Sequence, residues 1–322
     1  MARSFQILTD AVCDLPATWL KSHPEIIVVD TPVIATKRGC RGIIFKDLTP
    51  DTFDRADAYV KQGYTTRTSL PIIWETEDEE QRDIISVERL TRQFLEEGID
   101  VVYLAMNSAI SGTYGQVHVL YNELNERYAH SAMALCLDTE CASTGLAMLI
   151  MDLIASEPKT LDDVREHVTV NQSKIAHVFT WLDFTYIVKS GKVNALSATI
   201  GKMLELRPLC SAEYLRGERP LIAISNKIRG THKFVNILSK FVKATIDDER
   251  GVITVAHGNL PEKAEMIAGA LSERLPKAQV LYGPDWRCGA AIQAHGGPTS
   301  IHVNYHRKPA SFEETAKIFH EL

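Results

Sequence analysis

No apolar run in this chain of 322 residues is long enough to span a membrane. An excess of positive charge is also missing: 35 Lys and Arg stand against 41 Asp and Glu, for a net charge of −6. That balance argues against a broad nucleic-acid-binding surface while leaving room for a local basic patch. No two cysteines are spaced as CxxC, and Cys13, Cys40, Cys136, Cys141, Cys210 and Cys288 share no Cys/His ligand spacing. A zinc site is therefore not expected, and free structural thiols are the better reading than disulfides. Neither the G-x-S-x-G elbow of serine hydrolases nor the phosphate-cradling G-x-x-x-x-G-K-[ST] loop occurs. Internal repeats and low-complexity tracts are absent too. Met1-Ala2-Arg3-Ser4-Phe5 leads directly into a strand pattern, so no secretory signal is expected and the expected location is cytoplasmic.

What is present is the composition of an ordinary globule, 45% hydrophobic and 24% charged, long enough for two domains. Short apolar runs alternate with amphipathic segments. Phe5–Asp10, Ile26–Val29, Val101–Met106 and Ala132–Leu137 read as strands. Pro50–Lys61, Ser86–Glu97, Gln116–Leu124 and Ala142–Ile154 read as helices, with Pro50 suited to a first helical position. The Gly/Lys/Arg-rich stretch after Val29 suits a hairpin, and Glu75–Glu80 a solvated acidic insert. This alternation predicts an α/β fold with a mainly parallel sheet in residues 1–159. Past Glu157-Pro158-Lys159 the order of strands and helices changes, which predicts a second α/β domain over residues 160–322.

The loops carry the chemistry. Asn107-Ser108-Ala109-Ile110-Ser111-Gly112-Thr113-Tyr114 stands where a buried strand hands over to a helix. Backbone N–H groups at a helix start lack partners and carry partial positive charge, so the hydroxyls of Ser108, Ser111 and Thr113 stand where a carboxylate or phosphate fits. The plainer reading makes Ser111 a helix cap and Gly112 an easy turn. Thr65-Thr66-Arg67-Thr68-Ser69-Leu70-Pro71 offers further hydroxyls, as an anion site or as a solvated turn. His295, before Gly296-Gly297-Pro298, is either a turn histidine or a donor whose charge responds near neutral pH. Lys189-Ser190-Gly191-Lys192 and Lys227-Ile228-Arg229-Gly230 are basic turns that matter only when they face a phosphate or an acidic partner.

As an ordered set, these stretches resemble the DegV family of bacterial fatty-acid-binding proteins. Ile7 through Pro16 is similar to that family's opening strand and turn, and Thr68-Ser69-Leu70-Pro71 to its T-S-Q-P loop. Asn107 through Tyr114 resembles S-S-x-L-S-G-T-Y, and Asp138 through Gly145 resembles D-S-x-x-x-S-x-G. Tyr186 through Val193 is similar to Y-L-x-K-G-G-R-I, Lys227 through Gly230 to K-x-R-G, and Ala294 through Pro298 to A-H-x-G-P.

The resemblance implies a two-domain DegV-like fold enclosing one long-chain fatty acid, such as palmitate, stearate or oleate, in a tunnel between the domains. It implies a binding subunit, itself not an enzyme, that presents the carboxylate to a separate kinase subunit for phosphorylation by ATP to an acyl phosphate used in phospholipid synthesis. No cofactor, metal or nucleic acid is implied, and membrane contact is only transient. The head-group site falls on Thr68, Ser69, Asn107, Ser108, Ser111, Gly112, Thr113 and His295, with Thr68, Ser108 and His295 holding the carboxylate. Arg229 and Lys192 face the partner or phosphate. Leu70, Ile72, Asn107 and Ser190-Gly191-Lys192 depart from the family pattern. A rearranged head-group ring is expected from them, with Asn107 donating from its amide and Leu70 and Ile72 extending the apolar wall. Two other classes are a stand-alone lipid sensor or carrier, and a hydrolase using Ser108 or Ser111 with His295.

Overall fold

The computed structural model describes residues 5–40, 42–45, 50–69, 86–128, 130–189, 209–211, 222–225 and 228–321. Lys192, Leu70, Ile72, Lys227 and the acidic insert Glu75–Glu80 lie outside the described residues.

Strands β1 (Phe5–Asp10), β2 (Ile26–Val29), β6 (Asp100–Ala105) and β7 (Ala134–Asp138) form a parallel sheet in the order β2-β1-β6-β7. The run Val101–Ala105 is apolar throughout because both faces are covered. Val102 and Leu104 point to one core with Ile7, Leu146 and Leu149, while Val101, Tyr103 and Ala105 point to another with Leu8, Val117 and Leu124. Helices Val87–Glu96 and Thr113–Tyr128 cover that second face, the first of them capped by Ser86, whose hydroxyl accepts from the Arg89 N–H.

Strands β3 (Val33–Thr36), β4 (Ile43–Phe45) and β5 (Thr65–Thr68) form a small antiparallel sheet in the order β4-β3-β5. The hairpin expected after Val29 is β3–β4. β5 was expected as a hydroxyl-rich loop and is instead an edge strand. Its β-branched threonines suit a pleated, half-buried surface.

In the second half, β8 (Ile175–Trp181), β9 (Leu209–Ser211), β10 (Ile222–Ser225), β11 (Val252–His257), β12 (Gln279–Leu281) and β13 (Ser300–His306) form one sheet, ordered β10-β9-β8-β13-β11-β12. It is antiparallel except for the β11–β12 pair. Helices Thr231–Thr245 and Pro261–Arg274 pack on one face around Phe241, Leu271, Val255 and Tyr305.

Helix Ser143–Ala155 joins the two halves. Leu146, Leu149, Ile150 and Leu153 are fully buried in the core of the parallel sheet. From its first turn, Thr144 Oγ1 donates to Asn304 Oδ1 of β13 at 2.7 Å and accepts from Thr254 Oγ1 of β11 at 3.0 Å. No helix among the described residues is long and apolar enough to cross a membrane.

Candidate functional site

In the parallel sheet the chain leaves β1 toward β2 on one side, while β6 lies on the other. That reversal of order is where open α/β sheets leave a crevice beyond the carboxyl ends of their strands. The segments after β1, β6 and β7 meet there, and three non-glycine residues adopt left-handed conformations nearby: Asp14 at φ 48°, Glu140 at 53° and Ser143 at 52°. Such strain persists only where surrounding structure enforces it, and it concentrates at functional positions. Asp14 does the enforcing. Its carboxylate accepts from Ser143 Oγ at 2.6 Å and from the Gly289 N–H at 2.8 Å, tying the first turn to helix Ala290–Gly296. Burial pushes both Asp10 and Asp14 up to about 7.

Facing this crevice across helix Ser143–Ala155 is the open side of the six-stranded sheet, and between them lies a cavity of about 340 Å³. That volume is in the range of small-molecule sites. Val12, Met106, Ile110, Phe179, Ile187 and Ile292 make most of its wall apolar.

The polar end is built by three elements. Alternate residues of β5 face one way, so Thr66 and Thr68 both turn toward helix Ala290–Gly296. Thr66 Oγ1 donates to the Ala294 carbonyl at 2.8 Å, and Thr68 Oγ1 meets His295 Nε2 at 2.9 Å. His295 therefore stands in the last turn of a short helix, not in a free turn as the sequence suggested. Ser111, Gly112 and Thr113 line the same wall at the start of helix Thr113–Tyr128. Ser111 Oγ accepts from the Thr113 N–H at 3.2 Å and pairs with Thr113 Oγ1 at 2.9 Å, so it both shapes the turn and faces the cavity. Ser69 completes this end, and Arg67, exposed at the rim, brings a cation that the sequence reading did not assign.

Thr68, Ser69, Ser111, Gly112, Thr113 and His295 thus converge on one cavity. Asn107 and Ser108 stand outside its wall. The Asn107 amide donates to the Glu140 carbonyl at 2.9 Å while its Oδ1 accepts from the Ala109 N–H at 2.8 Å, and the Ser108 N–H donates to Asp138 Oδ1 at 3.1 Å. Arg229 is exposed and apart from the cavity.

The sequence reading also missed His177, Trp181, His302 and Asn304, which β8 and β13 bring to the cavity wall. The signal was available: a histidine inside each of two buried strand runs, Ala176–Phe179 and Ser300–Val303. Burial pushes His177 down to about 3 and His302 to about 4, so both imidazoles are neutral at physiological pH. Five cysteines are buried, and burial lifts their thiols, Cys210 to about 12, which removes them as nucleophiles; Cys40 alone is exposed.

A family model described as "Uncharacterised protein, DegV family" matches residues 4–308. A DegV domain-containing protein of Clostridium perfringens is 25% identical over 306 residues, covering 94% of this chain and 97% of its own length. Among solved structures, the fatty acid binding DegV family protein of Streptococcus agalactiae superposes with a TM-score of 0.72 at 22% identity, covering 96% of this chain and 100% of that one. The Streptococcus pneumoniae Fatty Acid Kinase (Fak) B3 protein, loaded with linoleic acid, superposes with a TM-score of 0.72 at 17% identity, covering 95% and 100%.

Proposed function

The chain belongs to the DegV family, and from that premise we propose that it binds one long-chain fatty acid in the cavity between its parallel and six-stranded sheets. The supporting observation is the cavity itself, lined largely by apolar side chains and by the hydrogen-bonded Thr68–His295 pair. In this reading residues 1–159 and 160–322 are two domains that close on the acid. A buried carboxylate without donors is very costly. Here Thr68, Ser111, Thr113 and His295 supply them, together with the first turn of helix Thr113–Tyr128, whose dipole favours an anion. Each charge-assisted bond contributes about 1.5–3 kcal/mol. The tail contributes about 0.8 kcal/mol per methylene, roughly 12 kcal/mol gross for a palmitoyl-length chain, before ordering and association costs.

The second step of the reading is presentation of the carboxylate to a separate kinase subunit for conversion to an acyl phosphate. The likeness in fold to the Streptococcus pneumoniae Fatty Acid Kinase (Fak) B3 protein supports it, as does Arg229, a cation held outside the cavity and open to a partner. The same binding without phosphoryl transfer describes a lipid sensor.

Native mass spectrometry of the purified protein is the test, with a co-purified fatty acid expected. Thr68→Val and His295→Ala are each expected to weaken binding by about 1.5–3 kcal/mol, and Ser108→Ala by less. Arg229→Ala is expected to keep the lipid and lose acyl phosphate formation with kinase and ATP. Unchanged lipid retention in both head-group variants would falsify the site. Bound lipid without acyl phosphate in the parent protein selects the sensor.

A further inference from the structure

The wall that β8 and β13 give to the cavity is unlike an apolar tail channel. Because side chains alternate along a strand, β8 turns His177, Phe179 and Trp181 to the cavity, and β13 turns His302 and Asn304 to it. The register sets Asn304 beside His177 and His302 beside Phe179.

Hydrogen bonds around Asn304 determine where the His177 proton sits. Asn304 Oδ1 accepts from Thr144 Oγ1, and its Nδ2 donates to the Ala176 carbonyl at 3.1 Å, a group that can only accept. The remaining Nδ2 hydrogen meets His177 Nδ1 at 3.0 Å. His177 Nδ1 is therefore an acceptor, and the neutral imidazole carries its one proton on Nε2. The ring lies so close to Gly145 that a Cβ there would collide with its Cε1. Among the described residues the Nε2–H has no partner, although His177 is only 7% exposed. Trp181 Nε1–H, in a side chain 6% exposed, is a second donor in the same condition, and His302 Nε2 a third unpartnered nitrogen. Buried donors without acceptors are rare and costly, and a ligand oxygen relieves that cost.

The donors are separated along β8. Trp181 Nε1 abuts Gly296, next to His295, so it belongs to the carboxylate end. His177 is four residues back along β8, about 13 Å away at 3.3 Å per residue.

We infer that this cavity selects an oxygenated fatty acid, one carrying a hydroxyl or oxo group in mid-chain that accepts the His177 Nε2–H, over a plain saturated acid. The inference rests on the fatty-acid reading above and narrows its ligand class. A plain methylene chain would bury the His177 donor beneath carbon, whereas a mid-chain oxygen pairs with it.

The experiment is competition on delipidated protein between stearic acid, a mid-chain hydroxystearic acid and 2-hydroxystearic acid. The mid-chain isomer is expected to bind about five- to tenfold more tightly than the other two. His177→Phe, which keeps a ring against Gly145, is expected to erase that preference, so that the mid-chain hydroxystearic acid binds no more tightly than stearic acid. Should the variant not fold, the comparison of positional isomers on the parent protein decides alone. Equal affinity for all three acids overturns the inference and leaves the fatty-acid reading standing. Binding of none of them sinks that reading itself.

Discussion

Asp10 and Asp14 follow the first strand into the interior, and burial holds both carboxyls near 7 against an ordinary 3.8. Between those values the folded chain keeps protons that the unfolded chain has released. Stability from these groups is therefore present at low pH and lost as pH rises through about 7. His177 and His302 act in the opposite sense: their stability is present above 6.5 and lost as pH falls toward 4 and 3. The two effects offset each other in the parent protein, so the informative quantity is a difference. Asp10→Asn is expected to gain about 3 kcal/mol relative to the parent between pH 5 and pH 8, two pH units at about 1.4 kcal/mol each. Urea unfolding at both pH values measures it, and an equal difference at the two would mean that Asp10 does not titrate in this window. In the sequence Asp10 and Asp14 were visible only as the polar ends of a turn. The partners that enclose Asp14, Ser143 and Gly289, come from far along the chain.

Among the elements, β5 and helix Ala290–Gly296 were the hardest to foresee and matter most. Thr65-Thr66-Arg67-Thr68 has no apolar alternation, and only its threonine content favours a strand. Ala290-Ala291-Ile292 is too short an apolar run to separate helix from strand by period. Each element is stabilised by the other. Thr66→Val removes the hydroxyl that reaches the Ala294 carbonyl and keeps the side-chain shape. It is expected to cost about 1 kcal/mol and to speed hydrogen exchange at the amides of residues 294–296. A stability loss with no change in that exchange would show that the bond does not hold the helix. By contrast, helices Pro50–Lys61, Val87–Glu96 and Ser143–Ala155 fall within a few residues of their sequence expectation. Their apolar faces, and starting signals such as Pro50 and Ser86, are local.

At the scale of the molecule, helix Ser143–Ala155 is the shared core of both sheets, and its first turn carries the polar contact between the halves. Thr144 links Asn304 on β13 to Thr254 on β11, and Asn304 in turn holds His177. Thr144→Val is expected to lower stability by about 1–3 kcal/mol, since it leaves Asn304 Oδ1 buried without its donor. Because the halves share this core, loss of far-UV ellipticity and of tryptophan fluorescence should still coincide on denaturation. Two separated transitions in the parent protein would refute a common core. The sequence by itself determined the α/β class, the parallel first sheet, most helices and the order of the polar loops, because each depends on local periodicity and turn chemistry. Only the tertiary structure decided which loops meet. Thr68 and His295 are 227 residues apart yet hydrogen-bonded, while Ser108, three positions from Ser111, is turned out of the cavity wall. Strand order and the packing of one buried helix set those distances, and neither is written in any local stretch of residues.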